Sequence, residues 1–483
     1  MNFHFLFENK GDFLEMILFE KTVKAFLATM SCFFFRYYII DSHLHFIRER
    51  KMTYEDVVKF IFWNKGRNND IELTEYLKVF KGKKYETMSH QAIGRQRMFI
   101  KPELFIRIYK KFIDKIYKEH PHFSEIKGYI AVACDGSIFQ LPNVTLTRNE
   151  FKIGDHTIFE KKRIRARVSG MLDVNSNFML TTKIVEKTVK ETTLAMQHLD
   201  DLKKRFDITK FIAIYDRGYK SIELMIYTEK LNSKFLIRIP KNTFKKQRRK
   251  IKGKDKIIEI NLTNAIIKEF ENEELKKMAK EMGRYNLRIV EITLLNGSTV
   301  ILATNLDKEE FTIEELKELY AKRWSIETRF KKLKSQVMIQ RFSGHRRIII
   351  EQDFYASIFI YNLATAIQWD GEKLMKVKQR NPHDEFIRKS NFASIVGILY
   401  VYMEDVLSCD FNIIDEAMSF FIKQAKRLYH QKNLVKLELM RALKISEDLA
   451  LQMMWGEKWE DHKPARVAED PTNRNPGNPK ATH

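Results

Sequence analysis

Three cysteines and seventeen glycines are few for 483 residues, and each scarcity excludes something. Cys32, Cys134 and Cys409 are far apart and odd in number. They rule out a disulfide framework and a cysteine-built zinc site, and point to a reducing, cytoplasmic compartment. No GxxxxGK[ST] or GxGxxG run occurs, so a nucleotide-cradling loop is absent. Residues 25–35 (AFLATMSCFFF) are apolar apart from Thr29 and Ser31, but Arg36 stops the run. It falls short of the ~20 residues that a bilayer span needs. Glu8, Asp12, Glu15 and Glu20 precede it, unlike a signal peptide. No membrane role is expected.

Positive charge is what the chain has in excess. Lys and Arg number 86 against 63 Asp and Glu, a net +23 that wants a polyanion. The length suggests roughly three domains of ~150 residues. Residues 53–119 read as short helices: one capped by Thr53, one near 71–80, one capped by Ser89, and one with Pro102 at its start. Arg95 and Arg97 lie on the third, which suits a small helical DNA-binding domain and equally a helical subdomain with a solvated basic face. From 129 the texture changes. YIAVAC (129–134) and FIAIY (211–215) are buried strands, each running into an aspartate, Asp135 and Asp216. IRARVSGML and FMLTTKIVE flank a DVNSN turn and read as a hairpin. With helices at 190–206 and over SIELMIYTEKL, and a strand at 234–239, this is an α/β core with a mixed sheet. Residues 241–256 hold nine basic residues, among them Arg248 and Arg249, and one acid. Strand-like runs at IIEINL, LRIVEITLL and TVILATN follow, with a helical stretch near 263–282. From 312 to about 455 the chain reads as helical, and the proline-rich end as disordered.

Candidate chemistry concentrates in TIEELKELYAKRWSIETRFKKLKSQV, residues 312–337. Thr312 and Glu315 make a capping box, and Leu316, Leu319, Ile326, Phe330, Leu333 and Val337 one apolar stripe. On a single helix at about 100° per residue, Arg323, Lys334, Glu327 and Tyr320 fall within about 60° of one another beside that stripe. Two strand-end aspartates and a helix glutamate suit hard divalent cations. Two such ions stabilise the attacking and leaving oxygens of a phosphodiester displacement. Arg323 and Lys334 are then placed for phosphates.

At these residues the chain resembles a known family. Asp135-Gly136-Ser137 with Leu141-Pro142-Asn143, then Asp216-Arg217-Gly218-Tyr219, then Tyr320, Arg323, Glu327 and Lys334 look like the DDE transposases of bacterial insertion sequences. More narrowly, RWSIE and FKKLK resemble the YREK-signature ("insertion sequence four") family, over roughly residues 53–440. The resemblance implies a ribonuclease-H-like, retroviral-integrase-type α/β catalytic core interrupted by a β-rich insertion, with helical N- and C-terminal regions. It implies Asp135, Asp216 and Glu327 as catalytic metal ligands for two Mg²⁺ ions, Mn²⁺ being an alternative. Tyr320, Arg323 and Lys334 would bind DNA, and Arg217, Lys331, Arg95, Arg97, Arg248 and Arg249 are further DNA-contact candidates. The activity implied is cleavage at terminal inverted repeats and joining of 3′-hydroxyl ends to target DNA. It would proceed in a synaptic homodimer, in the bacterial cytoplasm at the nucleoid.

The expected divisions are an apolar leader at 1–51, a helical DNA-binding domain at 52–125, core segments at 126–239 and 306–370, the basic β-rich insertion at 240–305, a helical region at 371–459 and a tail at 460–483. Two alternatives stay open: an inactive or domesticated DNA-binding relative, and a metal-dependent nuclease without strand transfer. His43/His45 and His120/His122 lack partners at ligand spacing, and Asp173 reads as a turn residue. Trp324 reads as packing. Arg165 and Arg167 share one strand face, open equally to a DNA backbone or to solvent.

Overall fold

The computed structural model describes residues 18–48, 51–83, 88–152, 163–293, 298–378 and 386–433. The N-terminal part is helical: α1 (Glu20–Ala28), α2 (Tyr54–Trp63), α3 (Asn69–Lys81), α4 (His90–Arg97) and α5 (Glu103–Glu119). The caps read from sequence are made, Thr53 with Asp56 as a capping box on α2 and Ser89 on Ala92 N–H at α4. α1 begins the apolar run, and Phe19, Val23, Phe26, Leu27 and Met30 are part of the core. No helix of the described residues is long and apolar enough to cross a membrane.

The centre is a sheet. β1 (Ile130–Gln140), α6 (Thr145–Glu150), β2 (Arg165–Asp173), β3 (Met179–Glu186), α7 (Glu191–Lys203), β4 (Phe211–Tyr215), α8 (Ile222–Lys230) and β5 (Lys234–Ile239) follow in order. α9 (Lys245–Arg249), β6 (Asp255–Asn261), α10 (Asn264–Ile267), α11 (Glu273–Met282), β7 (Arg284–Thr293) and β8 (Thr299–Thr304) continue it. The eight strands lie in the order β3-β2-β1-β4-β5-β8-β7-β6. β1, β2 and β3 are antiparallel, whereas β4 runs parallel to β1 and β5 to β4. That order and direction over the first five strands is the ribonuclease-H-like arrangement. The strands of the basic segment extend this same sheet, since β8 pairs antiparallel with β5. β1 is longer than its apolar run. It continues to Gln140 because β2 keeps pairing with it after β4 has ended, so Asp135 lies within the strand and not at its terminus. β2 is likewise flanked on both sides and is no edge strand.

α12 (Ile313–Ala321), α13 (Trp324–Ser335) and α14 (Arg347–Lys378) come next. The expected single helix over 312–337 is two, because Arg323 N–H bonds Tyr320 O and Ser325 N–H bonds Lys322 O, tightening the chain at the junction. The capping box and the apolar stripe both hold, the stripe being buried across the break. α14 is the hub of the helical layer: Phe359 packs on Phe26 of α1, Phe62 of α2 and Phe112 of α5. It also lies on the sheet edge, where the buried Asn362 accepts from Met179 N–H at 2.9 Å and donates to Met179 O at 3.1 Å. The C-terminal described part is not purely helical. β9 (Phe386–Ser390) precedes α15 (Phe392–Val401), α16 (Met403–Val406) and α17 (Phe411–Arg427), and pairs antiparallel with β10 (Tyr429–Asn433). The proline-rich end lies outside the described residues.

Candidate active site

Strand register sets out the site. The last rung between β1 and β4 is Ala133 with Ile214, and Asp135 and Asp216 each lie two residues further on. Side chains alternate along a strand and match across a parallel pair, so both carboxylates project from one face. Asp216 also fixes its own turn: its Oδ1 accepts from Gly218 N–H at 2.8 Å. Asp135 Oδ1 accepts from Gly136 N–H at 2.8 Å. A Cβ at Gly136 would lie 2.9 Å from Glu191 Oε1, the far end of a side chain that can shift, on the opposite face. Arg167 holds that glutamate at 3.1 Å, which gives this arginine an internal partner. Arg165 is exposed.

α13 carries Glu327 across this face and is tied down at several points. Lys334 Nζ donates to Ile138 O at 2.9 Å, and its ammonium stands 5.0 Å from the Phe139 ring centroid. Arg329 Nε donates to Asn177 Oδ1 at 3.1 Å, and Lys322 Nζ, just before the helix, to Asn175 Oδ1 at 2.8 Å. The DVNSN turn thus positions the helix, a role its turn chemistry did not announce. Asp173 within it is buried and accepts from Tyr117 OH and from the N–H groups of Asn175 and Ser176, as a turn residue should.

Charge at the site is tightly arranged. Arg323 Nη2 donates to Glu327 Oε1 at 2.7 Å, with the two side chains 7% and 28% exposed. Burial works against the Arg323 charge, but Tyr320, Glu327 and Asp135 hold its pKa above the usual guanidinium range. Asp135 is pushed up to about 7, first by burial, with Glu327 and Asp216 adding to the rise and Arg323 opposing it. Tyr320 is raised to about 12 by burial, against the pull of Arg323 and Arg238. Burial pulls the Lys334 ammonium down.

Arg238 is a residue that motif reading missed. Ile237 of β5 is paired with Tyr215, so Arg238 stands next in the row beside Asp216. Its charge is felt by Tyr320, and burial lowers its pKa. The signal was present in KFLIRI: beyond the Lys234 that opens it, the strand carries a second cation among apolar residues, at the end where the two acids lie.

The remaining candidates fall elsewhere or on the surface. Arg97 is buried against α14, with Nε on Gln352 at 3.0 Å and Nη2 on Asp353 at 2.6 Å. Arg248 is turned inward onto Glu291 and the carbonyls of Lys241 and Thr243. Arg95, Arg217, Arg249 and Lys331 are exposed. Trp324 is half-buried, with Lys331 Nζ 5.6 Å from its ring centroid. His120 packs against Phe19, and Cys134 is core.

Among the described residues, no three His, Cys, Asp or Glu side chains stand close enough to hold a metal ion as placed. Asp135 and Asp216 nevertheless fit one. Both supply hard oxygen donors from one face, and the pKa of Asp135 is raised by burial and by the neighbouring carboxylates. Glu327 is turned to Arg323 instead.

The ribonuclease-H-like sheet thus carries paired carboxylates beneath a helix of cations. Residues 127–363, just under half of the chain, match the family model of the transposase DDE domain. No curated protein sequence matches the chain. Among solved structures it is similar to a piggyBac transposase synaptic complex with hairpin DNA, at 10% identity and a TM-score of 0.38, covering 86% of this chain and 82% of that one.

Proposed function

We propose that this protein is a DNA transposase of the YREK-signature insertion-sequence type. It binds the terminal inverted repeats of its element, cuts there, and joins the resulting 3′-hydroxyl ends to target DNA within a synaptic homodimer at the bacterial nucleoid. The observation that carries this reading is the row Asp135–Asp216 on one face of the sheet, beneath the helix that presents Glu327. The match over residues 127–363 supports it.

Asp135, Asp216 and Glu327 would hold two Mg²⁺ ions, with Mn²⁺ able to substitute. Bound there, the ions would offset the charge on the attacking and leaving oxygens. The protein's own groups do the rest. Arg323, Tyr320 and Lys334 set the strand by its phosphates, and the exposed Arg249 and Arg217 add electrostatic attraction. In cutting, water attacks phosphorus and the bond to the 3′-oxygen breaks. In joining, that 3′-hydroxyl attacks a target phosphate and displaces the next 3′-oxygen.

The test uses a duplex of the DNA flanking the gene, with Mg²⁺. Asp135→Ala should abolish cleavage and leave DNA affinity within about twofold. Cleavage by that variant at the wild-type rate would sink the assignment. A pre-cut end separates transfer from hydrolysis, because a nuclease leaves the exposed 3′-hydroxyl unjoined.

A further inference from the structure

Arg323 is almost wholly buried, and its charge is held by Tyr320, Glu327 and Asp135. Two features make this more than a helix ion pair. The guanidinium donates to Glu327 through Nη2, while the neighbouring Nε on the same edge is buried and has no hydrogen-bond partner. That edge is the one through which arginine grips a phosphate or carboxylate with two parallel bonds. Glu327 therefore takes one donor where a phosphate would take both. Second, the guanidinium acts on Asp135 and Glu327 alike, and among the described residues the three acids do not close into a cation site.

We propose, building on the transposase reading, that Arg323 is a placeholder cation that holds Glu327 away from the metal site until a DNA phosphate draws the guanidinium off. Glu327 cannot simply leave, because removing one partner of a buried ion pair strands the other charge. A phosphate removes that obstacle by replacing the carboxylate on the same edge. Cation binding at Glu327 is then coupled to DNA binding, whereas the Asp135–Asp216 pair is open to a cation beforehand. Without DNA the complete cutting site does not assemble.

Coupling of this kind is reciprocal, so DNA and metal must tighten each other by the same factor. The experiment measures Mn²⁺ alone on the full chain by electron paramagnetic resonance, with and without a pre-cut duplex ending in a 3′-hydroxyl. Wild type should bind one Mn²⁺ without DNA and two with it. Mn²⁺ should in turn tighten duplex binding about tenfold or more. Arg323→Met, which keeps the apolar stem, should bind two ions without DNA and lose the coupling. Wild type binding two ions equally well with and without duplex would overturn the placeholder role, and this arm needs no variant to fold. Asp135→Ala separates the two levels of the argument. If it leaves Mn²⁺ binding unchanged, the carboxylate site itself is wrong. If it removes the first ion while wild type shows no coupling, only the role of Arg323 fails.

Discussion

Lys334 donates to the backbone carbonyl of Ile138, three residues along β1 from Asp135. The bond ties the helix that carries Glu327 to the strand that carries Asp135. An ammonium–carbonyl bond on a half-buried lysine contributes modestly to global stability, but it sets the distance between two acids on different elements. Lys334→Met should lower stability by about 1 kcal/mol in urea denaturation. Cleavage at saturating DNA should fall by a far larger factor, roughly tenfold or more, since misplacement by an ångström is that costly. Equal cleavage rates in the two proteins would show that α13 is positioned without it.

Arg238 makes a sharper claim, because nothing in the YREK pattern names it. Standing beside Asp216 at the strand ends, it is placed to meet a phosphate of the bound strand. Each phosphate neutralised on duplex DNA contributes about 0.9 to the slope of log K against log salt. Arg238→Met should reduce that slope by about one and weaken binding alike on all sequences, with thermal stability retained. An unchanged slope would make Arg238 a structural cation that only serves Tyr320.

His198 predicts a pH dependence outside the site. It is fully buried on α7, with Nδ1 3.2 Å from Thr181 Oγ1 and Nε2 3.1 Å from Ser169 Oγ. Burial, reinforced by Lys183 and Lys110, lowers its pKa to about 3. In the unfolded chain it takes up a proton near pH 6.5, and in the folded chain it does not. The unfolded state thus binds more protons between about pH 6.5 and 3, and stability falls as pH drops through that window. Between pH 7 and 5 this group should remove about 2 kcal/mol. His198→Gln, measured in urea at both pH values, should shrink the difference by that amount.

Much of this was legible in the sequence, and the parts that were not share a cause. FIAIY gave β4 to the residue because a buried parallel strand is a continuous apolar run bounded by polar residues. The length of β1 was hidden, because pairing with β2 sustains it through Asp135, Gly136 and Ser137, which are poor strand formers. The break at Lys322–Arg323 was hidden for a similar reason. The apolar stripe runs unbroken through it, and periodicity cannot register a tightened turn that keeps the same face buried. The three acids were readable as a pattern, but not the Arg323 fork on Glu327. A motif gives residue types and spacing; which partner a buried charge takes is settled by packing.

The apolar N-terminal run supplies the last prediction. Phe26 is 2% exposed, with its ring 5.2 Å from Phe112 and 6.1 Å from Phe359, so it joins α1 to α5 and α14. Asp370 of α14 receives the backbone N–H groups of Leu18 and Phe19 at the start of the same helix. A segment gripped at its entry and buried along its apolar face behaves as part of the core. Phe26→Ala should therefore cost about 3–5 kcal/mol, the range for an aromatic cavity in a packed interior. A chain begun at Met52 should do worse. It would expose the face that Phe19, Val23, Phe26, Leu27 and Met30 cover, and should bind a hydrophobic dye and aggregate at concentrations where the full chain stays soluble. A Met52 chain that melts like the full one would show that α1 rests on the core without supporting it.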